Sequence, residues 1–413
     1  MSARMAGRLL QREMTKELRM SKRACGARAV VCAGLIGAAA VLAGCSGKAV
    51  SKDPIEDLRN PARGVPVRLA AIEQSRGGGM PTEAKNEAAR RLYKEIFWAE
   101  GESQAMRAAA LDALLTDPDP AVREDARAMA RLRLAREPVR EMVVHLSQLA
   151  GQNGWEEFTP ALVRSYAREV PGTSDQIRTE RVALKALHPG TDVLDVVFGV
   201  FLNPPAVTDG RQEEWNERTR ADAWDLLARL DPSGVERARM LAAAPEDAGD
   251  GTIAAMRRAQ RELDALPRSG EELRWLLSLS DVNSSENAAW WREASAAIAA
   301  FSAVEEEAAP LQLLHAEVIR WAAAHRSDWA RASRAELLSE VRARLGARKR
   351  HPRTTDVGPS RLKEDLSAWE GSLTRADVLT MLVLDDLIVE PKVVEAFFKQ
   401  AEMDRRDNTT EYG

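Results

Sequence analysis

Residues 104–134 read QAMRAAALDALLTDPDPAVREDARAMARLRL, and the rest of the chain is best approached from them. Met106, Ala109, Ala110, Ala113 and Leu114 recur at helical spacing, and a second apolar stripe begins with Val122, Ala126, Met129 and Ala130. Between the two stands Asp117-Pro118-Asp119-Pro120. Proline inside a helix forfeits a hydrogen bond and clashes with the preceding turn, so Pro118 ends the first helix. Pro120, with Asp119 before it as N-cap, suits the first position of the second. The spacing predicts two antiparallel helices joined by a short corner. Such a pair leaves an apolar side open that only another pair covers.

The run A-L-x-x-L-L-x-D-P-x-P-x-V-R-x-x-A, from Ala110 to Ala126, resembles the consensus of bacterial HEAT-like repeats, in which an Asp-Pro corner joins helix A to helix B. The resemblance covers one repeat of about 30 residues. It implies that Val122 packs the repeat and that Arg123 bonds to the corner. It implies further an all-α fold of HEAT-like helical hairpins, an α-solenoid. Helix B faces of such arrays line the concave side, which would place Arg123, Glu124, Arg127 and Arg131 on a partner-binding face. An ordinary hairpin in a non-repeat bundle is the alternative.

Residues 22–45 read KRACGARAVVCAGLIGAAAVLAGC. Lys22, Arg23 and Arg28 precede an apolar run at 29–42, the layout of a secretory signal peptide. That run is shorter than the ~20 residues needed to span a bilayer. Its end, Leu42-Ala43-Gly44-Cys45, resembles the lipobox of bacterial lipoproteins, which implies cleavage after residue 44 and a lipid on Cys45. Residues 1–44 are thus expected to be a leader, with translation able to start at Met20, and the mature protein to be anchored to a membrane by palmitate-type acylation, facing the periplasm or exterior. Ser46 rather than Asp after the cysteine weakly favours the outer membrane.

All three cysteines, Cys25, Cys32 and Cys45, lie in or at the end of this leader, so the mature chain has none for an intramolecular disulfide or a thiolate zinc site. Of the 59 Lys and Arg, 8 belong to the leader, and of the 63 Asp and Glu, 2, which leaves the mature chain near −10. A nucleic-acid partner wants the opposite sign.

The remainder is expected to be organised as follows. Residues 45–81, broken by Pro54, Pro61, Pro66 and Gly77-Gly78-Gly79, read as a flexible tether. Residues 82–245 read as the HEAT-like array. Thr82 caps a first helix, and later pairs turn at Gly151–Gly154, His188-Pro189-Gly190 and Asp231-Pro232. Pro118, Pro189 and Pro232 are 71 and 43 residues apart, a period that suits repeats of about 40 residues. Residues 246–345 read as further helical repeats or a bundle, with a long helix from 285 to about 307. Residues 346–360 form a basic, Pro- and Gly-containing loop, 361–405 a C-terminal helical pair capped by Thr374 with Asp377, and 406–413 a polar tail. No run alternates at period two for long enough to predict a sheet. Nine tryptophans spread over the helix pairs, from Trp155 to Trp369, read as filling between layers rather than as a carbohydrate platform.

No catalytic, cofactor or metal motif stands out. His145, His188, His315, His325 and His351 include no i, i+4 pair, and His315, Glu317 and His325 make the nearest cluster. Neither a Walker loop, a G-x-S-x-G elbow nor a dinucleotide fingerprint is present. Adjacent acids such as Asp385-Asp386 face different directions on a helix. The expected function is that of a lipid-anchored envelope scaffold binding another protein or envelope component through a helical surface. The competing expectation is the helical part of an envelope enzyme whose catalytic domain is missing or unrecognised.

Overall fold

The structure, a computed structural model, describes residues 53–205, 212–245, 247–249, 251–281, 284–305, 310–347, 355–357, 360–362 and 370–406. Among them it is all-α, with nineteen helices. The chain divides into two compact units, Met1–Ala130 and Arg131–Gly413.

The first unit contains α1 (Pro54–Arg59), α2 (Val65–Ser75), α3 (Glu83–Trp98), α4 (Gln104–Leu115) and the beginning of α5 (Pro120–Leu134). The division falls inside α5, so the expected array at 82–245 is not one compact unit. Here α3 packs on α4, α1 on α2 and α3, and α2 on α4. Ile72, Phe97, Met106, Leu111 and Leu114 are buried between them.

The expected tether therefore needs correction over its described part: residues 53–81 carry two packed helices, with Ile55, Leu58, Ala71 and Ile72 in the core. Two of the three prolines that suggested a broken chain stand at helix starts, and Pro61 lies in the turn between the helices. Pro54 and Pro66 occupy the first or second helical position, where the missing N–H is not needed, and Asp53 Oδ1 caps α1 through the Ile55 N–H at 3.0 Å. Gly77 and Gly78 then take φ of +67° and +75° to turn the chain.

The second unit continues from the end of α5 with α6 (Arg140–Asn153), α7 (Thr159–Ala167), α8 (Thr179–Leu187), α9 (Val193–Leu202), α10 (Gln212–Leu230), α11 (Val235–Ala243), α12 (Thr252–Leu263), α13 (Gly270–Leu279), α14 (Ser285–Ser302), α15 (Leu313–His325), the short α16 (Ser327–Ala330), α17 (Arg334–Ala347), α18 (Arg375–Leu387) and α19 (Pro391–Arg406). Consecutive helices pair as hairpins at α7·α8, α9·α10, α12·α13, α14·α15 and α17·α18, and further contacts such as α6·α8, α10·α13 and α15·α18 join one hairpin to another.

Gly151 does not break the helix there, as the sequence suggests. α6 runs on to Asn153, and Gly154, at φ +65°, ends it. A Cβ at Gly151 would stand 3.3 Å from the Ala183 Cα, so this glycine lets α6 and α8 approach closely. Likewise α14 stops at Ser302, short of the expected 307.

Two short strand pairs interrupt the helices: β1 (Ala265–Leu266) runs parallel to β2 (Leu311–Gln312), and β3 (Thr355–Val357) pairs antiparallel with β4 (Ser360–Leu362). The second pair lies where a loop was expected at 346–360, and β4 continues into the first residues of the expected 361–405 pair. Of the described tryptophans, Trp224, Trp291 and Trp329 are buried, Trp155, Trp275, Trp290 and Trp321 are partly so, and Trp98, which precedes those nine, is exposed.

A recurrent device joins the helices. The last carbonyls of a helix lack intrahelical partners, and here arginines from other segments supply them. Arg107 Nε donates to the Phe97 carbonyl at 3.1 Å and Arg68 Nη2 to that of Leu58 at 3.3 Å. In the second unit Arg229 reaches the Tyr166 and Ala167 carbonyls at 2.5 and 2.6 Å, and Arg257 those of Leu241 and Ala242 at 3.0 and 3.2 Å. Arg375, nearly inaccessible, donates to Phe301 and Ala330 at 2.6 and 2.9 Å.

Candidate functional site

Cys45, the expected lipid site, lies outside the described residues. The four residues of the expected partner face do lie on one helix, α5, and three of them, Arg123, Glu124 and Arg131, are exposed, with Arg127 partly so. They do not act alike. Arg123 turns its Nη1 back to the Asp117 and Pro118 carbonyls, at 2.6 and 2.9 Å, so it belongs to the corner. Glu124 and Arg127 form a loose ion pair of 3.8 Å.

The corner is built around Asp117, which the sequence offered only as a turn residue. Arg90 from α3 grips its carboxylate with two bonds of 2.9 Å, and Asp119 N–H adds a third at 2.9 Å. Burial alone would raise the Asp117 pKa, but these donors outweigh it and hold the group below the usual carboxylate range. Asp119 caps α5 through the Ala121 N–H, also at 2.9 Å. With both oxygens engaged, Asp117 serves as a joint.

Among the described residues His315 comes nearest to a catalytic imidazole, since it is buried and its Nε2 stands 3.3 Å from Asp377 Oδ1. It borders a cavity of about 420 Å³ with Ser233, Gly234, Arg237, Arg268 and Thr374. Its Nδ1, however, accepts the Gln312 N–H at 3.3 Å, which by the hydrogen-bond network puts the ring proton on Nε2, facing Asp377. Both ring nitrogens are thus engaged within the fold. Asp377 is likewise engaged, its Oδ2 accepting from the Thr374 N–H and hydroxyl, both at 2.8 Å. Burial pushes its pKa up, but His315 and Thr374 bring it down to about 2. The pair therefore ties the N-terminus of α15 to that of α18. Glu317, which stands near His315 in the sequence, accepts from Trp290 Nε1 at 2.7 Å and from Arg320.

A larger cavity of about 720 Å³ lies along α7, α10 and the start of α13, bordered by Glu169, Asp225, Arg229, Arg268 and Glu272. Gly270 closes in on α10 there, since a Cβ on it would meet Ala221 at 2.6 Å. Desolvation raises the pKa values of both Asp225 and Glu272. Each keeps one oxygen on a backbone N–H at the start of α13: Gly270 to Asp225 at 2.7 Å, and Arg268 to Glu272 at 2.8 Å. The cap of that helix is Ser269, which accepts the Glu272 N–H, so the two carboxylates brace its start from positions 47 residues apart, a distance no local motif reports.

Among the described residues, no three His, Cys, Asp or Glu side chains come together as a metal-binding group, and no helix is long and apolar enough to cross a membrane. Neither a family model, nor a curated protein, nor a solved structure matches the chain.

Proposed function

We propose that this chain is a lipid-anchored scaffold of the cell envelope, held to a membrane through Cys45 and binding another protein or envelope component with its helical surface. The observation that carries this reading is the α4–α5 corner. Arg123 there makes the bond to the Asp-Pro turn that the HEAT-like resemblance implies, and arrays of that kind bind through extended helix faces. Glu124, Arg127 and Arg131 form the candidate face on α5, while Arg123 is assigned to the corner.

The anchor and the face are tested separately. Cys45→Ser should abolish fatty-acid labelling and release the protein from membranes or leave its precursor uncleaved. Continued membrane partition together with no fatty acid on the wild type would end the anchoring proposal. A partner captured from detergent-solubilised membranes by the wild type should be retained poorly by Arg127→Ala combined with Arg131→Ala, with helicity unchanged. Full retention would remove α5 as the binding face.

A further inference from the structure

At the C-terminal end of the second unit an apolar groove and an apolar projection lie close together in the chain. The groove, of about 290 Å³, runs between α17 and α18 and is lined by Val341, Leu345, Met381, Leu384 and Ile388. The projection is α19, whose Phe397 and Phe398 are 66% and 72% exposed, so neither fills the groove of its own chain. Leu384, Ile388 and Val389 extend the patch and are exposed as well. Apolar surface gathered in this way marks an interaction site.

We infer that its occupant is a second copy of this chain, with Phe397 and Phe398 of each copy seated in the α17–α18 groove of the other. A two-fold interface needs one patch that is complementary to itself, and a groove beside a projection meets that condition, because the rotation makes the same contact twice. The charges agree. The groove's rim is neutralised from within: Arg344 Nη1 bonds Asp385 at 2.9 Å and Asp386 at 2.6 Å, and Arg326 bonds Asp386 at 2.8 Å. A copy therefore meets no field of like sign. An anionic lipid surface fits less well, because it calls for a strongly basic polar face, whereas α19 sets Glu395, Glu402 and Asp404 against Lys392, Lys399, Arg405 and Arg406 and is nearly balanced.

The test distributes two changes between two differently tagged chains expressed together, cross-linked in the cell and co-purified. Phe397→Asp with Phe398→Asp removes the projection, and Leu384→Arg closes the groove. All three positions are exposed, so the fold should hold, which far-UV circular dichroism checks. With the projection removed from one chain and the groove closed on the other, one contact survives and the two chains should still co-purify. With both changes in one chain beside a wild-type partner, no contact survives and recovery should fall by about tenfold or more. Equal recovery in the two arrangements would overturn the inference in favour of an unspecific apolar patch. So would wild-type chains that fail to co-purify, which would leave the face to a lipid surface or another protein. The assay is independent of Cys45, because it reads the same in the membrane and the soluble fraction.

Discussion

Glu180 is wholly inaccessible, yet it stays ionised. Arg140 holds it with bonds of 2.5 and 2.8 Å, and Arg178 with bonds of 2.7 and 3.3 Å. Burial pushes its pKa upward, but the two guanidinium groups bring it down from 4.5 to about 2. A carboxylate depressed on folding stabilises fully above its unfolded pKa and loses that contribution as pH falls through the folded one. Wild-type stability should thus decline from about pH 4.5 towards pH 2 partly on this account. Glu180→Gln should cost about 3 kcal/mol at neutral pH, because the buried Arg178 and the partly exposed Arg140 lose their charged partner, and should flatten the acid decline. Denaturant unfolding over a pH series reads both, and an unchanged slope in the variant would refute the assignment. Caps such as Asp119, Thr82 and Thr374 were legible in the sequence because donor and acceptor lie within three residues. The Arg140–Glu180 pair was not, since its members are 40 residues apart and nothing local links them.

At the scale of helices, the apolar period of α4 and the Asp-Pro corner were readable, and their chemistry is local. What the sequence hid were elements whose markers have two meanings. Pro54 and Pro66 suggested a tether although each begins a helix, and Gly151 suggested a turn although it serves the approach of α6 to α8. Three measurements probe these elements. Limited proteolysis should spare residues 54–75, whereas prompt cleavage there would restore the tether. Leu114→Ala, at a fully buried position, should cost about 2–5 kcal/mol and hasten amide exchange across α1 to α4, not in α4 alone. Gly151→Ala should cost about 1–3 kcal/mol by forcing α6 from α8. A neutral effect would mean that the contact yields.

At the scale of the molecule, the all-α class was legible because the Ala- and Leu-rich helical period persists along the chain, while the division at Ala130 was not, because it falls inside a helix. The chain contains 48 arginines against 11 lysines, and the helix-end joints show where that preference acts. A guanidinium keeps its proton at any pH a protein survives, whereas a lysine loses its own near 10. The joints are consequently indifferent to alkali. A weak point on that side is Tyr93, whose hydroxyl packs 2.6 Å from Ser75 Oγ and whose pKa burial raises from 10.0 to about 12. Its neutral form is favoured by folding, so the stabilisation is complete below pH 10 and drains away as pH climbs through 12. Tyr93→Phe should lose a little stability at neutral pH and resist alkali better than the wild type in ellipticity measured across that window. If the two proteins unfold together, the base-labile element lies elsewhere. A molecule fastened in this way would tolerate alkaline surroundings that loosen lysine-bridged helical proteins.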